Sequence, residues 1–238
     1  MKYELSIVIP SYNEIKNIPI LIDKYREEKG DVNFQLVIVD NGSSDGTAEY
    51  LKQKCSMNKF LKVVTVKRNI GYGYGINEGL KACDADIIGW SHGDLQCSPK
   101  DVFRAYEVFR SYGENDWSEL LVKGHRINRN SMPQFIADVL RLLATLILFK
   151  RFDDINAQPK IFPRKLIDTF MRPPRGFSYD LYVQYKALKM GYQMEKFEVI
   201  FEDRKFGVSK SASSIIHKSV TIMSYVIDIF KIRVSVIK

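Results

Sequence analysis

The chain has 238 residues, of which 45% are hydrophobic and 27% are charged, and its formal net charge is +8. This composition suits one large globular domain and excludes disordered, collagen-like and coiled-coil chains. The sequence has no run of 18 apolar residues, so we expect no membrane-spanning helix. The first residues lead into a strand pattern and do not resemble a secretory signal. The three cysteines lack metal-type spacing, which indicates reduced thiols in a cytoplasmic protein (Cys55, Cys83 and Cys97).

The first hundred residues alternate apolar strand patterns with helical patterns. Their β-branched runs are typical of strands buried on both faces. The predicted strands are Leu5–Ile9, Phe34–Val39, Leu61–Val66 and Asp86–Trp90. The predicted helices are Asn17–Glu28, Thr47–Lys54 and Gly75–Ala82. This alternation predicts an α/β fold, in which a mostly parallel sheet carries helices on both faces.

The second half of the chain is predicted to contain more helix than the first hundred residues. Its predicted helices are Asp101–Ser111, Pro133–Phe149, a short piece after Pro163, Phe177–Met190 and Ser213–Val236. Its predicted strands are Glu119–Val122 and Gln193–Phe201. The last helix has an apolar stripe of Ile215, Ile216, Val220, Met223, Val226, Ile227 and Phe230. We expect a domain of residues 1–210, and a helical segment of residues 211–238 that packs on it or on a membrane surface.

Basic residues are concentrated between Lys123 and Arg175. This segment carries eleven lysines and arginines against four aspartates. Such a segment attracts the phosphate groups of nucleic acid, an anionic membrane or a charged metabolite, and a plain solvated surface is the alternative. The chain has no aromatic RNA-binding motif, zinc finger or basic leucine zipper, so we expect no nucleic-acid partner.

Polar clusters follow three of the predicted strands. They are Pro10–Glu14 after the first strand, Asp40–Thr47 after the second and Ser91–Gln96 after the fourth. Ligands of open parallel sheets bind beyond the carboxyl ends of the strands, so three clusters in register predict one site. Helix capping is the alternative role of each cluster taken alone.

The same clusters resemble family 2 glycosyltransferases of the GT-A fold. The matching segments are Ser6–Glu14, Val39–Thr47, Arg68–Gly71 with Gly79, and Asp94–Gln96. Further along, Phe177–Gly191 and Glu198–Lys210, with their Arg204, Gly207, Ser209 and Lys210, resemble the dolichol- or polyprenyl-phosphate mannose synthases. The resemblance implies a hexose transfer from a GDP- or UDP-sugar to a polyprenyl phosphate, with inversion at the anomeric carbon.

The resemblance also implies the roles of individual residues. The nucleotide-sugar would be held by Pro10, Tyr12, Glu14, Asp40, His92, Gly93, Asp94, Arg204 and Lys210. The expected catalytic residues are Asp94, Gln96, Arg126 and Arg204, with Arg126 facing the acceptor phosphate or forming a plain surface salt bridge. Asp94 and Gln96 carry oxygen ligands that suit Mg²⁺ or Mn²⁺ as the cofactor. His92 departs from the resemblance, because the family has an acid there.

Two other functions stay open. One is transfer to a saccharide hydroxyl, for which Asp180 is the candidate general base, although a polar residue on an exposed helix face is the commoner role. The other is an inactive nucleotide-sugar-binding module. The apolar segments Phe135–Phe149 and Ile215–Ile237 predict contact with an anionic membrane surface, the domain core or a second copy in a homodimer. A lipid acceptor would place the protein peripherally on the inner face of the membrane.

Overall fold

The computed structural model describes residues 3–113, 117–128, 131–204 and 215–235. Within these ranges the strands are β1 (Leu5–Ser11), β2 (Phe34–Asp40), β3 (Leu61–Thr65), β4 (Ile87–Trp90), β5 (Leu120–Arg126), β6 (Lys160–Pro163) and β7 (Gln193–Val199). The helices are α1 (Ile18–Glu28), α2 (Thr47–Met57), α3 (Tyr72–Lys81), α4 (Pro99–Ser111), α5 (Ser131–Leu148), α6 (Tyr179–Lys189) and α7 (Ile215–Ser235).

The described strands form one sheet in the order β3-β2-β1-β4-β6-β5-β7. Strand β6 runs antiparallel to both of its neighbours, and the other neighbouring strands run parallel to one another. The predicted mostly parallel α/β sheet is therefore confirmed. Strand β6 was not predicted from the sequence, because it has four residues, begins with a lysine and ends with a proline.

The core lies on both faces of the sheet, and alternation along β1 divides it. Ile7 and Ile9 pack with apolar residues of α1 and α4, whereas Val8 packs on the opposite face with residues of α3, α5, α6 and α7. Burial on both faces explains why β1 and β2 are almost continuously apolar. The carboxyl ends of these strands are thereby fixed in position.

Helix α3 lies unusually close to the sheet. A Cβ atom on Gly79 would stand 2.3 Å from Cγ1 of Val8 and 2.7 Å from Cγ2 of Val39. Only glycine leaves room for this approach. The packing brings the amino-terminal end of α3 toward the carboxyl edge of the sheet, where Asn41 donates a hydrogen bond to the carbonyl oxygen of Gly71.

Helix α7 packs on the domain through a stripe that differs from the predicted one. Its buried residues are Tyr225, Ile229 and Ile232, whereas Val220, Met223, Ile227 and Phe230 of the predicted stripe are exposed. Because both sides of the helix are apolar, periodicity alone could not identify the side that faces the core. Among the described residues, no helix combines the length and hydropathy that crossing a bilayer requires.

Candidate functional site

The carboxyl ends of β1 and β2 lie side by side at one edge of the sheet. Ser11 pairs in register with Asp40, and the backbone nitrogen of Asn41 donates to the carbonyl oxygen of Ser11 at 2.8 Å. Asp40 is buried, and its Oδ1 accepts a hydrogen bond from the backbone of Ser43. The turn that follows β2 is therefore built on the aspartate predicted to bind the nucleoside.

The loops after β1 and β2 are tied to each other by hydrogen bonds. Oδ1 of Asn13 accepts from the backbone of Ser44 at 2.8 Å, and Oγ1 of Thr47 accepts from the backbone of Glu14 at 3.2 Å. Asp45 accepts from the backbone of Ile15. These side chains brace one loop against the other, and neither α1 nor α2 has a side-chain hydrogen bond from its N-cap residue. The N-cap residues themselves therefore do not account for the two clusters, although Asp45 also accepts a hydrogen bond from the backbone of Thr47, the first residue of α2.

The loop after β4 brings Asp94 to the same edge. Its Oδ2 accepts a hydrogen bond from Nη2 of Arg204 at 2.6 Å, and its Oδ1 accepts from the backbone of Gln96. Nη1 of Arg204 also lies 3.8 Å from Oε1 of Glu14. A Cβ atom on Gly93 would stand 3.2 Å from the carbonyl oxygen of Pro10, so this loop rests directly on the end of β1. One guanidinium thus joins the first and third polar clusters.

The described residues fit a divalent cation only if the substrate supplies further ligands. They include no group of three His, Cys, Asp or Glu side chains placed to hold a metal ion. Asp94 offers one carboxylate, and the amide nitrogen of Gln96 donates to the carbonyl oxygen of Glu202 at 3.2 Å. One carboxylate together with substrate phosphates is a usual way to bind Mg²⁺. The donor set is therefore compatible with the predicted cofactor.

His92 lies within a row of aromatic rings. Its ring centroid is 6.2 Å from that of Tyr72 and 5.5 Å from that of Phe201, and Tyr72 stacks on Phe177 at 5.3 Å. Burial lowers the pKa of His92, which favours a neutral ring. The three partner rings were not identified from the sequence, because isolated aromatic residues give no signal of this kind.

Arg126 lies at the end of β5 and also contacts the Phe201 ring. Its guanidinium carbon is 5.3 Å from the Phe201 ring centroid, and its Nε is 3.0 Å from Oδ2 of Asp154, a buried carboxylate. Arg126 lines a cleft with Arg141, Asn156 and Tyr225, between the sheet and helices α5 and α7. The salt bridge is therefore not a plain surface pair, and the arginine faces a cavity.

The polar residues beneath this cleft correct two expectations. Asp180 is buried and pairs with Lys160, which is also fully buried, and it accepts a second hydrogen bond from Gln158 at 2.8 Å. It is neither an exposed helix residue nor a carboxylate open to an acceptor hydroxyl. Lys123 is buried too, and its Nζ donates to the carbonyl oxygens of Asp153 and Asp154. The predicted basic segment is therefore not one continuous surface patch.

The structure brings together most of the predicted site. Residues from all three polar clusters lie at one edge with Arg204, and the aromatic ring of Phe201 contacts both His92 of this group and the guanidinium of Arg126. Tyr12 is half-buried in the first loop. Lys210 lies outside the described residues.

Comparison with known families decides the assignment. The profile of glycosyl transferase family 2 matches residues 6–171. The chain belongs to this family. The predicted family and the predicted GT-A fold are both confirmed, and the fold is supported by the structural likeness below.

Two curated relatives act on undecaprenyl phosphate according to their names. One is the undecaprenyl-phosphate 4-deoxy-4-formamido-L-arabinose transferase of Pectobacterium atrosepticum, 24% identical over 87% of this chain and 62% of the relative. The other is the undecaprenyl-phosphate mannosyltransferase of Micrococcus luteus, 22% identical over 90% of this chain and 89% of the relative. The chain thus spans less than two thirds of the length of the first relative.

A solved structure shows the same fold. Glucosyl-3-phosphoglycerate synthase from Mycobacterium tuberculosis, crystallised with Mn²⁺, UDP and glucosyl-3-phosphoglycerate, superposes with a TM-score of 0.71. The sequence identity is 16%, and the match covers 97% of this chain and 80% of the synthase. At this identity the likeness establishes the fold alone.

Proposed function

We propose that the chain transfers a hexose from a GDP- or UDP-sugar to a polyprenyl phosphate, with inversion at the anomeric carbon. The observation that carries the proposal is the bridge made by Arg204 between Asp94 and Glu14 at the carboxyl edge of the sheet. This bridge places a fixed positive charge beside carboxylates where a nucleoside diphosphate would lie. The names of the curated relatives support a polyprenyl phosphate as the acceptor.

The donor would lie across the first two loops and the loop after β4. Asp40, Tyr12, Glu14 and the end of β1 at Pro10 would hold the nucleoside, because they line the edge at which β1 and β2 end together. Arg204 would hold the diphosphate through charge-assisted hydrogen bonds as negative charge accumulates on it. Lys210 would add a second positive charge.

Asp94 and Gln96 would hold a Mg²⁺ or Mn²⁺ ion. When bound, such an ion neutralises charge on a departing diphosphate. Arg204 already occupies one oxygen of Asp94, so the arginine keeps this carboxylate oriented and its charge partly balanced before any donor binds. His92 and Gly93 complete the loop that presents Asp94.

The acceptor phosphate would bind near Arg126, in the cleft beside α5 and α7. A polyprenyl phosphate is an anion at neutral pH, so its oxygen can attack the anomeric carbon without a general base. A saccharide hydroxyl would need such a base, and the candidate Asp180 is buried against Lys160. No observation therefore favours the hydroxyl acceptor. Because a polyprenyl phosphate is a membrane lipid, the proposal includes a cytoplasmic location at the inner face of a membrane.

A donor screen tests this function. The full chain would be incubated with GDP- and UDP-hexoses, a short-chain polyprenyl phosphate and Mg²⁺ or Mn²⁺, and the products identified by mass. We expect one glycosyl phosphate lipid, with inverted configuration by NMR, that disappears with EDTA and in Asp94→Ala. Transfer to the matching polyprenol but not to its phosphate would overturn the acceptor assignment, and no transfer from any donor would overturn the function.

A further inference from the structure

Helix α5 is apolar on two opposite sides. One side packs into the core through Ala144 and Leu148. The other side carries large apolar residues that are 50 to 74% exposed: Phe135, Val139, Leu142, Leu146 and Phe149, which follows the helix. Their spacing of three and four residues places them in one row. The row therefore faces away from the domain.

Helix α7 repeats this arrangement. Its buried side is Tyr225, Ile229 and Ile232, in the same core as Ala144 and Leu148. The opposite side carries a second row of residues that are 46 to 64% exposed: Val220, Met223, Ile227, Phe230 and Val234. A helix that is apolar on all sides is normally enclosed by protein or lipid. Among the described residues, nothing covers either row.

The two rows lie next to each other and run in the same direction. Tyr225 lines the cleft with Leu140 and Arg141 of α5. Eight residues further along α7, the guanidinium carbon of Arg233 lies 4.9 Å from the ring centroid of Phe149. Contact is thus kept while both helices advance by about two turns. The rows therefore form one apolar surface, which we call the two-helix face.

The charges around the two-helix face are mostly basic. Residues 131–151 and 215–235 contain six lysines and arginines but only two acids, Asp138 and Asp228. Asp228 is mostly buried, accepts a hydrogen bond from the hydroxyl of Ser178 and pairs with Lys231, and Asp138 pairs with Arg141. The two helices therefore keep an excess of basic residues. An exposed apolar surface of this length is unusual on a soluble monomer and marks an interaction site.

We propose that the two-helix face docks on the surface of an anionic phospholipid bilayer, with α5 and α7 lying flat in the interface. Apolar side chains that enter the headgroup region beside lysines and arginines are typical of interfacial helices. A second copy of the chain is the less favoured occupant, because two identical faces in contact would bring their basic residues together, and like charges repel each other. The choice of a bilayer rests in part on the proposed lipid acceptor, whose phosphate would reach the Arg126 cleft directly under these helices.

Vesicle flotation of the full chain tests the proposal. We expect binding to vesicles of phosphatidylcholine with phosphatidylglycerol, and binding at least tenfold weaker to phosphatidylcholine alone, since each basic residue adds attraction to an anionic surface. Leu142→Glu combined with Leu146→Glu should reduce binding at least tenfold. Met57→Glu is the matched control, because Met57 is an exposed apolar residue on α2, outside the two-helix face; it should bind as the unaltered chain does.

Two further measurements separate the possible outcomes. Sedimentation of the unaltered chain without lipid should give a monomer. The proposal would be overturned in favour of a second copy if the unaltered chain is a dimer, if the double variant Leu142→Glu with Leu146→Glu dissociates that dimer, and if the unaltered chain does not bind vesicles. Turnover on a water-soluble, short-chain polyprenyl phosphate should be the same in this variant and the unaltered chain. Absence of flotation with turnover intact would overturn the docking surface alone, whereas flotation without turnover on any donor would overturn only the proposed function.

Discussion

The proposed donor edge and the proposed acceptor side of this molecule are held together by different interactions. At the donor edge, formed by the ends of β1, β2 and β4, the loops are braced by backbone hydrogen bonds to polar side chains such as Asn13 and Thr47. On the acceptor side, formed by β5, β6, α5, α6 and α7, the polar contacts are buried charges, among them the Lys160–Asp180 pair.

The difference matters because water can replace the partners of an exposed loop but not those of a buried charge. A change at the donor edge should therefore alter the chemistry and leave the fold intact. Removal of one partner on the acceptor side leaves an uncompensated charge in the core. The exposed positions of the donor edge can therefore vary at little cost in stability, whereas the acceptor side depends on its buried charge pairs.

The largest expected effect is on the acceptor side. Asp180→Asn should lower the free energy of unfolding by about 3–5 kcal/mol, because the buried Lys160, whose pKa burial already lowers, would lose its carboxylate partner and would have to give up its proton to remain in the core. Urea unfolding measures this loss. The double variant Lys160→Met with Asp180→Leu should recover most of the stability, and it should still turn over if Asp180 is not a base. If Asp180→Asn lowers the free energy of unfolding by less than about 1 kcal/mol, which is the range of surface ion pairs, the proposed difference in stability between the two sides is wrong.

At the donor edge, Asp94→Asn should reduce turnover by about 10²–10³-fold, as removal of one charge-stabilising group does in other active sites. Stability should change little. Asp101→Asn is a matched control, since both aspartates are 7% exposed and both pair with an arginine, at 2.6 Å for Asp94 and 2.8 Å for Asp101. The initial rates of the two variants at saturating donor are compared. Equal losses of turnover in both variants would show that Asp94 has no specific role in the site.

Arg204→Ala should lower turnover by about 10–100-fold, which corresponds to a lost hydrogen bond to a charged group. The paired control is Arg104→Ala, which also removes an arginine bound to an aspartate but lies on α4, outside the site. Steady-state kinetics with varied donor would show the loss in turnover. If only the donor KM rises, Arg204 contributes to ground-state binding alone.

The smallest effect, taken over a single pH unit, is the pH dependence due to Lys123. Burial lowers the pKa of Lys123 to about 7, compared with about 10.4 in the unfolded chain. Between these values the unfolded state binds more protons, so stability should rise with pH from about 7 to 10, with a slope of at most about 1.4 kcal/mol per pH unit. Lys123→Met should show a smaller rise in unfolding experiments, because the buried Lys160 also has a lowered pKa and keeps part of the effect. Lys196→Met, at an exposed lysine paired with Asp153, should keep the full rise.

The sequence predicted the donor edge well for a physical reason. Strands β1, β2 and β4 are buried on both faces, so their apolar runs and the polar residues that follow them are visible in the chain itself. Residues such as Asp40 and Asp94 could therefore be placed at one edge. Arg204, the partner of Asp94, was placed at this edge only through the family resemblance, since 110 residues separate it from Asp94.

The acceptor side was harder to predict, because its defining contacts are long-range pairs. Lys160 appeared as part of a basic surface, and only the fold shows that it is buried against Asp180. The short β6 gave no periodic signal. In α7 the periodicity identified a helix but not its buried side, because Ile227 on one side and Ile229 on the other are equally apolar.

The segment that follows β7 spans both substrate regions. Glu202 exchanges hydrogen bonds with Gln96 at the donor edge. The side chain of Asn128, after β5, exchanges hydrogen bonds with the backbone of Phe201, and the Phe201 ring contacts both His92 and Arg126. If the donor and the acceptor bind on its two sides as proposed, a ligand that shifts this segment from one side would change the affinity for the ligand on the other. Thermodynamic linkage makes that influence mutual and equal in size. A cooperative sequence of substrate addition is therefore an expected property of this architecture.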